Sequence, residues 1–97
     1  MDLETIKELS INKTLLLLFT INDCEPCKIT SKIINNYNLN TDKIQYIIVD
    51  VNNNKDLSNI FEITILPTII FYKNNERVLS IIGNEENRLE TELNKFK

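Results

Sequence analysis

The sequence of 97 residues contains no histidine, no tryptophan, one glycine, two prolines and two cysteines. A closed structural zinc site needs four ligands, typically cysteine and histidine, and with two thiols and no histidine such a site could be completed only by two copies sharing their cysteines. Two cysteines are also too few for a disulfide-stapled scaffold. Eleven basic residues face fourteen acidic ones, for a net charge of −3, and no basic cluster is visible. That argues against nucleic acid or an anionic membrane as a partner, since both demand a concentrated positive patch. No apolar run approaches membrane-spanning length, and Met1-Asp2-Leu3-Glu4-Thr5-Ile6-Lys7 lacks the basic start and apolar stretch of a secretory signal. A cytoplasmic protein is the expectation.

What is present is ordinary for one compact domain over residues 1–97: 42% hydrophobic and 26% charged residues, with no linker or internal repeat. The many asparagines are dispersed among well-patterned segments and read as compositional bias.

Both cysteines fall in Asn22-Asp23-Cys24-Glu25-Pro26-Cys27-Lys28. The run before it, from Thr14 to Ile21, is apolar on both alternating faces, as in a strand buried at the middle of a sheet. After it, Cys27, Thr30, Ile34 and Tyr37 recur at spacings of three and four and share one helical face, with Ile33 beside them. Pro26 suits a first helical turn. Cys24 then lies just outside a helix start, where unpaired N–H groups favour a thiolate, and Cys27 lies one turn in on the inward side. Two residues between them allow the sulfurs to bridge, so Cys24 is the expected attacking thiol and Cys27 the resolving one. Two small buried hydrophobes are the plain alternative, and the position at a strand-to-helix turn argues against it.

Elsewhere, Asp2 caps a short helix carrying Leu3, Ile6 and Leu9 and ending near Ile11-Asn12. Ile44 to Val51 reads as a strand, and strand–helix–strand in this order implies a right-handed parallel crossover. Asn52-Asn53-Asn54 is a turn, followed by a short helix with Leu57, Ile60 and Phe61 on one face. Ile65 to Lys73 is a strand in which Pro67 must lie at the first position to spare the ladder. Asn74-Asn75 turns into Arg77 to Ile82, forming an antiparallel hairpin. Gly83, the only glycine, suggests a place where a side chain would obstruct. A last helix starts at Asn84 as cap, with Glu85 and Glu86 in its first turn, Leu89, Leu93 and Phe96 on its buried face, and Lys95 and Lys97 at its end. Asp50 reads as a strand-end turn residue, Lys28 as surface support, and Tyr37, Tyr46, Phe61, Phe71 and Phe96 as core.

The C-x-x-C at a strand-to-helix turn, Asp50 ending the second strand, Leu66-Pro67-Thr68 opening a hairpin, Phe71-Tyr72-Lys73-Asn74 and Gly83 fall in an order that resembles the thioredoxin family from about Lys13 onward. The resemblance implies an α/β three-layer fold: a four-stranded mixed sheet of order 2-1-3-4, third strand antiparallel, flanked by helices. It also implies a disulfide oxidoreductase in which Pro67 is cis and Leu66, Pro67 and Thr68 present backbone to an extended substrate. Disulfide-containing proteins are the implied substrates and a separate reductase the electron donor. The dithiol itself carries two electrons, so no bound cofactor or metal is implied, and a monomer is expected.

The departures from the family pattern matter. Asp23 and Glu25 stand where thioredoxins usually have tryptophan and glycine. Leu18 replaces the family's buried acid under the resolving cysteine, and Ile48 lies near the usual lysine. The chain therefore lacks the familiar proton relay. Asp23 and Glu25 should oppose thiolate formation at Cys24 by about 1 pH unit or less each, against the pull of the helix start that Pro26 helps to form, which favours a reducing protein. Two alternatives stay open: a glutaredoxin-like, glutathione-linked reductant, although the tyrosine usual between that family's cysteines is absent, and a protein-binding scaffold with weak redox activity.

Overall fold

The structure, a computed structural model, describes residues 1–83 and 85–96. Among them the chain forms α1 (Leu3–Asn12), β1 (Thr14–Thr20), α2 (Glu25–Asn35), β2 (Ile44–Asp50), α3 (Lys55–Ile60), β3 (Thr68–Lys73), β4 (Glu76–Ile82) and α4 (Glu86–Asn94). The strands make one open sheet of order β2-β1-β3-β4. β1 runs parallel to β2 and antiparallel to β3, and β3 is antiparallel to β4, as the family resemblance implies.

β1 is central because its sequence suits no other place. Leu15, Leu17 and Phe19 enter a core with Ile6 of α1, Leu57 of α3 and Phe61, while Leu16 and Leu18 enter a second core with Ile34 of α2 and Leu89 and Leu93 of α4. These five β1 side chains are at most 1% exposed. Burying each contributes roughly 1.5–3 kcal/mol, and none could face water without losing that. The result is a sheet between two helical layers, and no helix among the described residues is long and apolar enough to cross a membrane.

The ends of elements follow from local chemistry. The Asp2 carboxylate accepts the Thr5 N–H at 2.9 Å and the Thr5 hydroxyl at 2.8 Å, capping α1. Asn74 and Asn75 adopt φ of 51° and 64°, the left-handed pair that a two-residue hairpin turn requires. That turn is tied to α1: the buried Ser10 accepts the Asn75 N–H on its hydroxyl at 3.0 Å and the Asn74 N–H on its carbonyl at 2.8 Å. Arg77 joins β4 to the end of α3, donating to the Phe61 carbonyl at 2.6 Å with its guanidinium 5.5 Å from the Phe61 ring centre.

Several sequence expectations need correction. Ile60 is 52% exposed, not part of a buried face. α3 ends at Ile60, with Phe61 as its cap, so the six-residue helix buries Leu57 and Ser58 instead. Pro67 stands just before β3, not at its first position. Tyr37, Tyr46 and Phe96 are half-buried and pack against the second core from its edge, Tyr37 and Phe96 in turns beyond the ends of α2 and α4, and Phe96 stacks on Phe71 with ring centres 6.1 Å apart. Gly83 has φ of +66°, yet a Cβ added there would meet nothing within 4 Å, so the backbone conformation and not crowding calls for glycine. The expected cap Asn84 and the terminal Lys97 lie outside the described residues.

Candidate active site

β1 ends at Thr20, a turn over Asn22 and Asp23 follows, and α2 begins at Glu25. Cys24 is the cap of α2. Its sulfur accepts the Cys27 N–H at 3.2 Å, and its carbonyl accepts the Lys28 N–H at 3.1 Å. A cysteine thus occupies the position that serine or aspartate usually takes. Pro26 sits in the first turn, where its missing N–H leaves no bond unmade. Cys24 and Cys27 are joined as a disulfide with Cα atoms 5.3 Å apart. Cys24 is half-buried, and Cys27 is 2% exposed and packed inward.

The carboxylates beside Cys24 differ in their surroundings. Asp23 is exposed and holds a left-handed backbone with φ of 60°. Glu25 is also exposed, and Lys28 pairs with it at 3.2 Å, which partly offsets its charge.

Pairing of Phe19 with Thr68 sets the end of β1 beside the start of β3, so the disulfide and the Leu66-Pro67-Thr68 segment lie at the same end of the sheet. The Leu66–Pro67 peptide bond is cis. Pro67 is buried and Leu66 half-buried. The Thr68 hydroxyl donates to the Ile65 carbonyl and closes the loop, so that side chain is occupied internally. Gly83 donates its N–H to the Pro67 carbonyl at 2.8 Å, linking the loop after β4 to the proline. Gly83 is therefore a supporting residue of the site, a role that its isolation in the sequence does not reveal. Ile65, 50% exposed beside Leu66, was equally unmarked in the sequence.

A pocket of about 230 Å³ borders Cys27, with Leu18, Ile48, Asp23, Lys28 and Ser31 in its wall. The two positions at which the chain departs from the family's relay thus do border the resolving cysteine, and both are aliphatic. Among the described residues, no three His, Cys, Asp or Glu side chains gather where they could hold a metal ion.

A cysteine pair at the start of a helix, level with a cis-proline loop on an open 2-1-3-4 sheet, defines a thiol-disulfide oxidoreductase of thioredoxin fold. Comparison with known proteins agrees. The thioredoxin family model matches residues 4–95. A thioredoxin of Ophiophagus hannah is 27% identical over 85 residues, covering 88% of this chain and 81% of the relative. One of Mycoplasmoides gallisepticum is 32% identical over 75 residues, covering 77% of this chain and 75% of the relative. The crystal structure of reduced Schistosoma mansoni thioredoxin pre-protein superposes with a TM-score of 0.82 at 29% identity, covering 99% of this chain and 90% of that one. The chain belongs to the thioredoxin family.

Proposed function

We propose that this protein disulfide reductase works with Cys24 as nucleophile and Cys27 as resolving thiol. In the reduced protein the Cys24 thiolate attacks a substrate disulfide, forming a mixed disulfide and releasing one substrate sulfur as a thiolate. Cys27, deprotonated, then attacks the Cys24 sulfur. The Cys24–Cys27 bond forms, the second substrate thiolate leaves, and two electrons have passed to the substrate. A separate reductase returns two electrons and two protons. Leu66 precedes the paired part of β3, so its main chain is free of the strand ladder and can receive an extended substrate segment. Exchange chemistry of this kind fits a cytoplasmic monomer whose only cysteines are the reactive pair.

The observation that carries the assignment is the asymmetry of the pair. Cys24 is half-exposed, with its sulfur accepting a helix-start N–H, and Cys27 is buried one turn in. The test is to treat Cys27→Ser and Cys24→Ser proteins with a disulfide substrate and weigh the products. Cys27→Ser should accumulate a mixed disulfide on Cys24, and Cys24→Ser should form none. The reverse pattern would overturn the roles. An equilibrium redox titration settles direction: a potential near about −270 mV marks a thioredoxin-type reductant, and one near about −200 mV a glutaredoxin-like one.

The scaffold reading draws on the aliphatic Leu18 and Ile48 beside Cys27. Partner binding that survives replacement of both cysteines by serine, with no turnover by the unmodified protein, would favour it.

A further inference from the structure

The buried Cys27 has an approach of its own. The pocket of about 230 Å³ that borders it is walled by the end of β1, the turn before α2, the first two turns of α2 and Ile48 of β2. Among the described residues, none of the loop over 62–68 and none of the loop at Gly83 belongs to that wall. β2 and β3 flank β1 on opposite sides, so the pocket opens toward the β2 edge of the sheet while Pro67 stands on the β3 side. A substrate segment laid against Cys24 and Pro67 leaves this second opening uncovered. Leu18, 1% exposed, lies at its inner end, and Ile48, 57% exposed, stands at its mouth.

The release step has to move one proton off Cys27. Burial makes a free thiolate there costly, so the proton is best lost to a base in contact while the sulfur attacks. The wall holds two ionisable side chains besides the cysteine, Asp23 and Lys28. Asp23 is exposed, and a solvated carboxylate is a weak base for a thiol. Lys28 is a cation paired with Glu25 at 3.2 Å and accepts no proton. What the pocket offers instead is space, enough for an imidazole-sized molecule with water around it. Ser31 stands in the same wall, its hydroxyl 3.4 Å from the Tyr46 hydroxyl. When it donates there, its oxygen is left to accept an N–H from a molecule in the pocket.

Building on the reductase reading, we infer that the resolving step is served by a mobile base: a small nitrogen base of the imidazole class enters from solution between α2 and β2 and takes the Cys27 proton, with Ile48 controlling its entry. The base binds the proton as the Cys27 sulfur forms its bond to Cys24. The bond from Cys24 to the substrate breaks, the substrate leaves as a thiolate, and the protonated base departs by the opening through which it came. No electrons pass to or from the base. The first attack, by Cys24 on the other side, is indifferent to it.

The experiment separates the two steps in time. Reduced protein mixed at acid pH with one equivalent of a dipyridyl disulfide releases a first pyridinethione and carries the second on Cys24. A jump to neutral pH starts resolution, read by absorbance as release of the second pyridinethione at constant ionic strength. Added imidazole should raise that rate linearly, by about fivefold at about 0.2 M. Ile48→Trp, which fills the mouth, should cut the slope against imidazole to about a third, and Ile48→Ala should raise it about twofold, with the first release the same in all three proteins. Ile48 is exposed on an edge strand, so both variants should fold. The first release at neutral pH, followed in Cys27→Ser, should not depend on imidazole. A resolving rate independent of imidazole, or a slope unchanged in Ile48→Trp, would overturn the inference alone. No second pyridinethione at any pH, with the Cys27 thiol counted by alkylation, would overturn the reductase reading and this inference with it.

Discussion

Leu18 on β1 and Ile48 on β2 are directly opposite each other in the parallel register, and both border the pocket beside Cys27. Leu18 is 1% exposed and Ile48 57%, so the pair runs from the core out to solvent without a group that can take a proton.

The release step should therefore depend on solvent. Burial disfavours the Cys27 thiolate, and neither aliphatic neighbour assists in forming it. Starting from a pre-formed mixed disulfide on Cys24, the rate of substrate release should rise about tenfold per pH unit from pH 6 to 8, as the thiolate fraction does well below its pKa. A rate flat with pH over that range would show that a carboxylate takes the proton. Asp23, the one carboxylate in the pocket wall, would then be the group to replace.

Gly83→Ala tests what the lone glycine is for. Nothing lies within 4 Å of the added Cβ, so the cost is that of holding a left-handed backbone, about 1–2 kcal/mol by urea unfolding. A cost well above that would mean that the bond from Gly83 to Pro67 had also been lost.

Arg77→Met should lower stability by about 1 kcal/mol in the same measurement, because it removes a charge-assisted bond to the Phe61 carbonyl and the cation over that ring. Phe61 packs on Phe19 and Tyr72 with ring centres 5.6 Å apart in each case. Phe61→Ala should therefore cost more, about 3–5 kcal/mol.

Acid should loosen the start of α1 before the sheet gives way. Bonds from the Thr5 N–H, and then from its hydroxyl, hold the Asp2 carboxyl below the ordinary aspartate range. A lowered folded-state pKa stabilises the protein above the unfolded value, and the contribution is lost as pH falls through the lowered one. Protection of the Thr5 amide, measured against its intrinsic exchange rate at each pH, should fall through that acid window, and Asp2→Asn should remove that fall.

Legibility from sequence followed the range of the interactions involved. β1 was readable because burial on both faces leaves a continuous apolar run, and the reactive turn because its two cysteines and proline are neighbours in the chain. Leu66-Pro67-Thr68 became legible only through family order, since nothing local to a Leu-Pro step calls for a cis bond or for a place beside residue 24. Ser10 bonds to Asn75 across 65 positions, and a serine in a helix gives no sign of such a partner. Ile60 misled because a six-residue helix is too short for its spacing to fix which side is buried. Gly83 misled in its reason: rarity pointed to crowding, whereas the structure needs only its dihedral freedom.

The bond from the Cys27 N–H to the Cys24 sulfur makes one backbone proton an internal gauge of the protein's state. A thiolate accepts that proton more strongly than a disulfide sulfur can, so reduction should shift the Cys27 amide resonance and slow its exchange with water. Whatever lengthens or shortens that contact, including a partner docked across the helix start, adjusts at once the readiness of Cys24 to attack and the readiness of the pair to be recharged.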